Sequence, residues 1–276
     1  MAQKAVLSIG IPTFNRFDGL MRILDNVTNQ SYRDLEIIVS DDSTDPTVPP
    51  LDEEYVKNDG RIRYFKQPEN KGAAHNYAFV LEQATSEYFM WLADDDELGD
   101  KDYLLKLMNE IAKGYDFVFP NVRKINMLGG KTLENNSVKF TSESEKWFKH
   151  LEVIRKMYIG YQIESGVYKR ELIQKNAASF LNSYYYEGRI DGESTIHFML
   201  SRYNWSYVED TYHIKDMTGS NMHTLTFWGI LIPNFWNFVA AAGVIAQANY
   251  KNSKKVWLIF WKMLRNIYIQ LRMIIK

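Results

Sequence analysis

No cysteine occurs among the 276 residues, which excludes disulfides and thiolate metal sites and suits a reducing compartment. Acid is missing from the last part of the chain. After Asp216 there is no Asp or Glu, against seven basic residues: Lys251, Lys254, Lys255, Lys262, Arg265, Arg272 and Lys276. Residues 1–216 hold 26 basic and 34 acidic side chains, so the net charge of −1 divides into −8 and +7. Such a division implies two surfaces with different partners. No long apolar stretch precedes the first turn signal in "MAQKAVLSIGIP", so no secretory signal peptide is expected. A Rossmann GxGxxG and a P-loop are both missing. "IGIPTFNR" is not the glycine- and lysine-rich phosphate loop that a nucleotidyltransferase would want. Internal repeats and low-complexity segments are absent too.

What is present is a chain with 46% hydrophobic residues, enough for a sizeable core. Its first half alternates β-rich runs with helical patterns. Strands are predicted at 5–11, 35–40, 61–67, 88–93 and 116–126, and helices at 19–30, 73–85 and 101–114, where Gly114 is the stop. Near-continuously apolar strands separated by helices predict a mostly parallel sheet covered on both faces. Beyond 126 the rhythm changes. "MLGGKT" reads as a hairpin turn, with a helix over about 143–158, a strand at 164–170 and a helix from Asp191 to Arg202.

Three polar clusters fall just after strands: "PTFNR" (12–16), "DDSTD" (41–45) and "DDDEL" (94–98). Ligands of open α/β sheets bind at the carboxyl ends of strands, so parallel strands would bring all three clusters to one edge. Asp94, Asp95 and Asp96 follow an apolar run, where adjacent like charges repel unless something cationic completes them. Mg²⁺ or Mn²⁺ suits such a set, because each takes oxygen ligands and leaves room for substrate phosphates. Extended geometry would place Asp94 and Asp96 on one side and Asp95 on the other. The plainer role is a solvated turn leading to Asp100 as a helix cap. Asn15 likewise has a plain role as the cap of the following helix, and Asp41, Asp42 and Asp45 as Asx turns.

The motifs "LSIGIPTFNR", "EIIVSDDSTD" and "NKGAAHNYAFVLEQATSEYFMWLADDDEL", in this order and spacing, resemble family 2 glycosyltransferases of the GT-A fold, most of all the bacterial branch acting on surface polysaccharides. The resemblance covers 5–125 well and 126–216 loosely. It implies a GT-A α/β fold with a helical C-terminal appendage, a nucleotide-sugar donor with uracil the commonest base, a divalent metal, and inversion at the anomeric carbon. By position, Pro12, Thr13, Phe14 and Asn15 would line the nucleoside pocket, and Asp41 or Asp42 would accept a hydrogen bond from the base. Lys71, Gly72 and Asn76 would help hold ribose and phosphates. The triplet would supply the metal motif, Asp94 and Asp96 as ligands and Asp95 beside them at the nucleotide. Ala93 stands where many relatives have Asp, and "DDSTD" is one residue shorter than the common form. The acceptor's general base would be Glu193 or Asp191, each of which also has a plain role in the first turn of a helix. His213 is a further candidate metal ligand or diphosphate contact, with His223 behind it.

These readings divide the chain into a catalytic domain at 1–220, with a nucleotide half at 1–125 and an acceptor half at 126–220, and helices at 221–276. Thr224 to Tyr250 carries no charged residue, but Pro233 and its polar side chains argue for a broken, buried or interfacial helix pair rather than a span. The last segment mixes large aromatics with cations and no acid, the pattern of a helix lying on an anionic membrane. The expected partners are therefore a nucleotide sugar, a polyprenyl-diphosphate-linked glycan and the membrane surface, and no nucleic acid. The expected location is cytoplasmic, peripheral to the inner face of the cell membrane. A GT-A domain that binds glycan or nucleotide without catalysis, as a membrane scaffold, and a nucleotidyltransferase are the alternatives.

Overall fold

The structure, a computed structural model, describes residues 6–125, 133–134, 166–174, 202–216, 242, 245–246 and 250–274. Strands β1 (Leu7–Thr13), β2 (Leu35–Asp41), β3 (Ile62–Lys66) and β4 (Tyr88–Trp91) alternate with helices α1 (Phe17–Thr28), α2 (Glu53–Asn58) and α3 (Ala73–Gln83). There follow β5 (Asp96–Leu98), α4 (Tyr103–Ile111), β6 (Phe117–Ile125), β7 (Leu133–Glu134), β8 (Val167–Lys169), β9 (Trp205–Asp216) and the C-terminal α5 (Asn252–Ile274).

One sheet runs in the order β3-β2-β1-β4-β8-β6-β9-β5, with β7 beside β6. The first four strands pair in parallel. β8 lies antiparallel between β4 and β6, β6 and β9 are parallel, and β5 closes the edge antiparallel to β9. The mostly parallel sheet expected from the apolar runs is there, extended by a mixed half. Every residue of β1 and β2 is buried, which requires cover on both faces. Alternation in β2 sends Ile37 and Val39 to the core under α1 and α4, and Ile38 to the core under α3. α1 buries Leu20, Ile23, Leu24 and Val27, one face at three- and four-residue spacing. The second core is aromatic: Phe89, Trp91, Phe117, Phe119, Tyr168 and Trp205 pack together.

Two elements depart from the expectation. The acidic triplet is not one loop, because Asp96 opens β5. The long β9 over Trp205–Asp216 carries His213 within a strand that the strand pattern above does not include. Between Pro120 and Asn121 the β6–β9 register shifts, so that Pro120 faces Val208 and Asn121 faces Tyr212. Proline cannot donate to a ladder and is tolerated at such an irregularity. The Asn121 side chain fills the gap, donating to the Glu209 carbonyl and accepting from the Tyr207 hydroxyl. The predicted turn at 127–132 and the helices at 143–158 and 191–202 lie outside the described residues, apart from Arg202 at the end of the last.

Candidate active site

β2, β1 and β4 are adjacent and parallel, so the segments after Asp41, Thr13 and Trp91 emerge along one edge. Side chains tie them together. Thr13 Oγ1 donates to Asp94 Oδ2 at 2.7 Å, joining β1 to the loop after β4. Asn76 Nδ2, from buried ground on α3, donates to the Thr13 carbonyl at 3.2 Å and to Asp42 Oδ1 at 3.1 Å. The Asp42 N–H donates to the same Thr13 carbonyl. Three loops and a helix thus converge on residues 13, 42, 76 and 94.

Asn15 is not a helix cap; Arg16 holds that position. Asn15 has φ +54, a left-handed conformation that asparagine tolerates better than most residues. Its Oδ1 accepts from the N–H groups of Thr44 and Asp45 at 3.0 and 3.1 Å, and its own N–H donates to Ser43 Oγ. The 12–16 and 41–45 segments are therefore one unit.

The two candidate base-recognition acids differ. Burial resists ionisation of Asp41, but bonds from Ser43 and Tyr64 and the charge of Lys66 at 3.3 Å outweigh it and lower its pKa. Both of its oxygens are engaged, Oδ1 by the Ser43 N–H and Oδ2 by the Tyr64 hydroxyl at 2.6 Å. Burial raises the pKa of Asp42, and the neighbouring Asp41 charge adds to it. The tightly held Asp41 is a framework group, and Asp42 is the one whose charge is under strain.

At the next loop, Arg16 Nη1 lies 3.2 Å from Asp94 Oδ1 and 2.7 Å from Asp95 Oδ2. Burial raises the Asp94 pKa, with the Thr13 and Arg16 contacts acting against it. Arg22 Nη2 donates to the Asp94 carbonyl at 3.5 Å. Helix α1 comes this close because residue 19 is glycine: a Cβ there would stand 2.6 Å from the Asp94 carbonyl oxygen. A cleft of about 490 Å³ opens beside the group, lined among others by Asn15, Arg16, Arg22, Thr47, Asp94 and Asp95.

Asp96 belongs elsewhere. Its side chain has no exposure and pairs with His213 Nε2 at 2.9 Å and Lys215 Nζ at 3.4 Å. Tyr103 Oη stands 3.4 Å from His213 Nδ1. His213 thus bridges Tyr103 and Asp96. Burial would raise the Asp96 pKa, but the Lys215 charge and His213 outweigh it and hold it low. The proposed ligand set of Asp94, Asp96 and His213 is thus split between two networks. The physical reason is that the antiparallel β5–β9 pairing sets Asp96 opposite Lys215 and seals it from the cleft. Among the described residues, no group of three or more His, Asp or Glu is placed to hold a metal ion.

Of the remaining candidates, Pro12 is buried within β1, whereas Phe14 is 42% exposed beside the joined loops. Lys71 is exposed and pairs with Glu69 at 3.3 Å. Gly72 caps α3 with φ +88. Asp191, Glu193 and His223 lie outside the described residues. The sequence reading stopped at Asn15 and missed Arg16 and Arg22. Their signal was available, as one cation ending the 12–16 cluster and another in the second turn of the helix that follows.

The model of the family described as Glycosyl transferase family 2 matches residues 8–176. A GalNAc(5)-diNAcBac-PP-undecaprenol β-1,3-glucosyltransferase of Campylobacter jejuni is 38% identical over 138 residues, covering 48% of this chain and 44% of that protein. A teichoic acid poly(glycerol phosphate) polymerase of Staphylococcus epidermidis is 36% identical over 93 residues, 33% of this chain and 13% of that one. These matches span less than half the length of either curated relative. Among solved structures, S. aureus TarS 1–349 superposes with a TM-score of 0.71 at 16% identity, covering 95% of this chain and 72% of that one. TarS has also been solved with UDP-GlcNAc, with a TM-score of 0.68. A Pyrobaculum calidifontis mannosyltransferase, solved with GDP-Man and Mn²⁺, superposes with a TM-score of 0.56 at 14% identity, covering 97% and 88%. The fold is GT-A, as the sequence motifs implied.

Proposed function

Because the chain belongs to glycosyl transferase family 2, we propose that it moves a sugar from a UDP-linked donor, with inversion, to a hydroxyl of a lipid-linked glycan in surface polysaccharide or glycoconjugate synthesis. The observation that carries the reading is the joining of the 13, 42, 76 and 94 positions into one rigid edge beside a cleft with two carboxylates and two guanidiniums. The UDP and lipid-linked elements are supported by neighbours whose names carry UDP-GlcNAc and undecaprenol.

Each residue has a task in this reading. Asp42 accepts the N–H of the base, while Asn76 and Thr13 hold it in register. Phe14 and Asn15 bound the nucleoside, with Lys71 and Gly72 at the ribose and phosphates. Arg16 and Arg22 face the diphosphate and offset the Asp94 and Asp95 charges. Asp94 and Asp95, which Arg16 bridges, are the carboxylates that would hold a divalent ion, a hard cation suited to one or two carboxylates beside substrate phosphates. Such an ion supplies neutralisation of the leaving diphosphate. Asp96 and His213 are not needed for it. Asp191 or Glu193 takes the acceptor hydroxyl proton as that oxygen bonds to the anomeric carbon and the bond to the diphosphate breaks. The residues 1–220 form the catalytic unit, and the basic tail brings it to the inner face of the membrane that carries the acceptor.

The test is to incubate the protein with a panel of UDP-sugars and a polyprenyl-diphosphate glycan, with Mn²⁺ or with chelator, and to weigh the products. A product heavier by one sugar residue, formed with Mn²⁺ and lost with chelator, is expected. Binding of UDP without transfer to any acceptor would favour a scaffold instead.

A further inference from the structure

Helix α5 is amphipathic in an unusual sense. Its inner side buries Leu258 and Lys262 and packs near Ile245, Tyr250 and Trp261. Its outer side exposes large apolar groups: Val256, Trp257, Phe260, Met263, Leu264 and Ile267, from 37 to 66%. Their spacing confines all six to one arc of about 120°, taking 100° per residue. Water is a poor environment for two aromatic rings and four aliphatic side chains in a single row.

We infer that this arc of α5 is a docking surface for an anionic lipid bilayer, the helix lying in the headgroup layer. The inference rests on the reading of the basic tail as membrane-facing and names the side chains that do the work. Three observations select the occupant. Positions 254, 265 and 272 are basic and fall on one line of the helix, roughly 60–80° beyond the arc's edge, at headgroup height when the arc is immersed. The chain from residue 217 on holds seven Lys and Arg and no Asp or Glu, so the segment as a whole is cationic. A second copy packed antiparallel on the arc would set the two basic lines on the same side, where like charges repel. No described helix, α5 included, is long and apolar enough to cross a membrane.

The full chain should sediment with vesicles of phosphatidylcholine and phosphatidylglycerol, and far less with phosphatidylcholine alone. Replacing Trp257, Phe260 and Leu264 together by Ser should weaken binding by about tenfold or more, with the melting temperature, molecular mass in solution and UDP affinity unchanged. Arg265→Glu together with Arg272→Glu should weaken binding to the anionic vesicles only. If the triple variant binds vesicles as the wild type does, the arc is not the docking surface, although the tail still is. If the wild type ignores both vesicles, the membrane-facing reading falls as well. If the triple variant melts markedly lower or halves its mass, the arc is covered by protein and the inference is overturned. UDP affinity, measured in parallel, reports on the donor site separately from all of these.

Discussion

Replacing Asp96 by Asn separates two roles that the sequence allows for the acidic triplet. In the fold its carboxylate is fully buried and paired with His213 and Lys215. Removing one partner of a buried ion pair costs about 3–5 kcal/mol, because the remaining charge keeps its desolvation penalty. Asn can still accept from His213, so the lower end is expected. With each kcal/mol moving the melting temperature of a chain of this size by roughly 2–4 °C, the variant should melt about 6–12 °C lower, near the 3 kcal/mol end. The pH dependence has a definite sign. Asp96 has a lowered pKa in the fold, so its stabilisation is present above the unfolded value of about 3.9 and is lost as pH falls through the lower folded value. The wild-type advantage over Asp96→Asn should therefore shrink only under acid. Calorimetry from pH 7 to 3 reads the stability, and Mn²⁺ and UDP titrations at 15 °C read the site. Unchanged melting combined with lost Mn²⁺ binding would refute the argument, since it would make Asp96 a ligand and the ion pair inert.

Three further outcomes follow from the site. UDP affinity, followed by calorimetry as pH is lowered, should begin to weaken above the ordinary aspartate range, because the raised pKa of Asp42 brings its protonation forward; weakening only in strong acid would point to Asp41. Asn76→Ala removes the two side-chain bonds by which Asn76 bridges Thr13 and Asp42 and should cost about 1–3 kcal/mol in urea unfolding together with weaker UDP binding; a stable variant with normal affinity would show the bridge to be idle. Of Asp191→Asn and Glu193→Gln, one should lose transfer by a factor of roughly 100 or more while UDP binding persists; wild-type turnover in both would remove them as the base.

Strand identity and edge chemistry were legible because they are local. The run "LEIIVS" can only be a buried strand, and its neighbours "AVLSIGI" and "YFMWLA" read the same way, so parallel pairing and the convergence of 12–16, 41–45 and residues 94 and 95 followed from period and connection length. The helical faces of α1 and α4 were fixed by three- and four-residue spacing in the same way. What spacing could not carry was partner choice across long separations. Three adjacent aspartates look equivalent in one dimension. Tertiary structure divides them: Asp94 meets Thr13, 81 residues away, and Arg16, whereas Asp96 meets His213, 117 residues away. That division is decided by β5 pairing antiparallel with β9, a contact made only once the chain has closed on itself. A carboxylate's chemistry is set by the cation and the water it is left with, and sequence alone names neither.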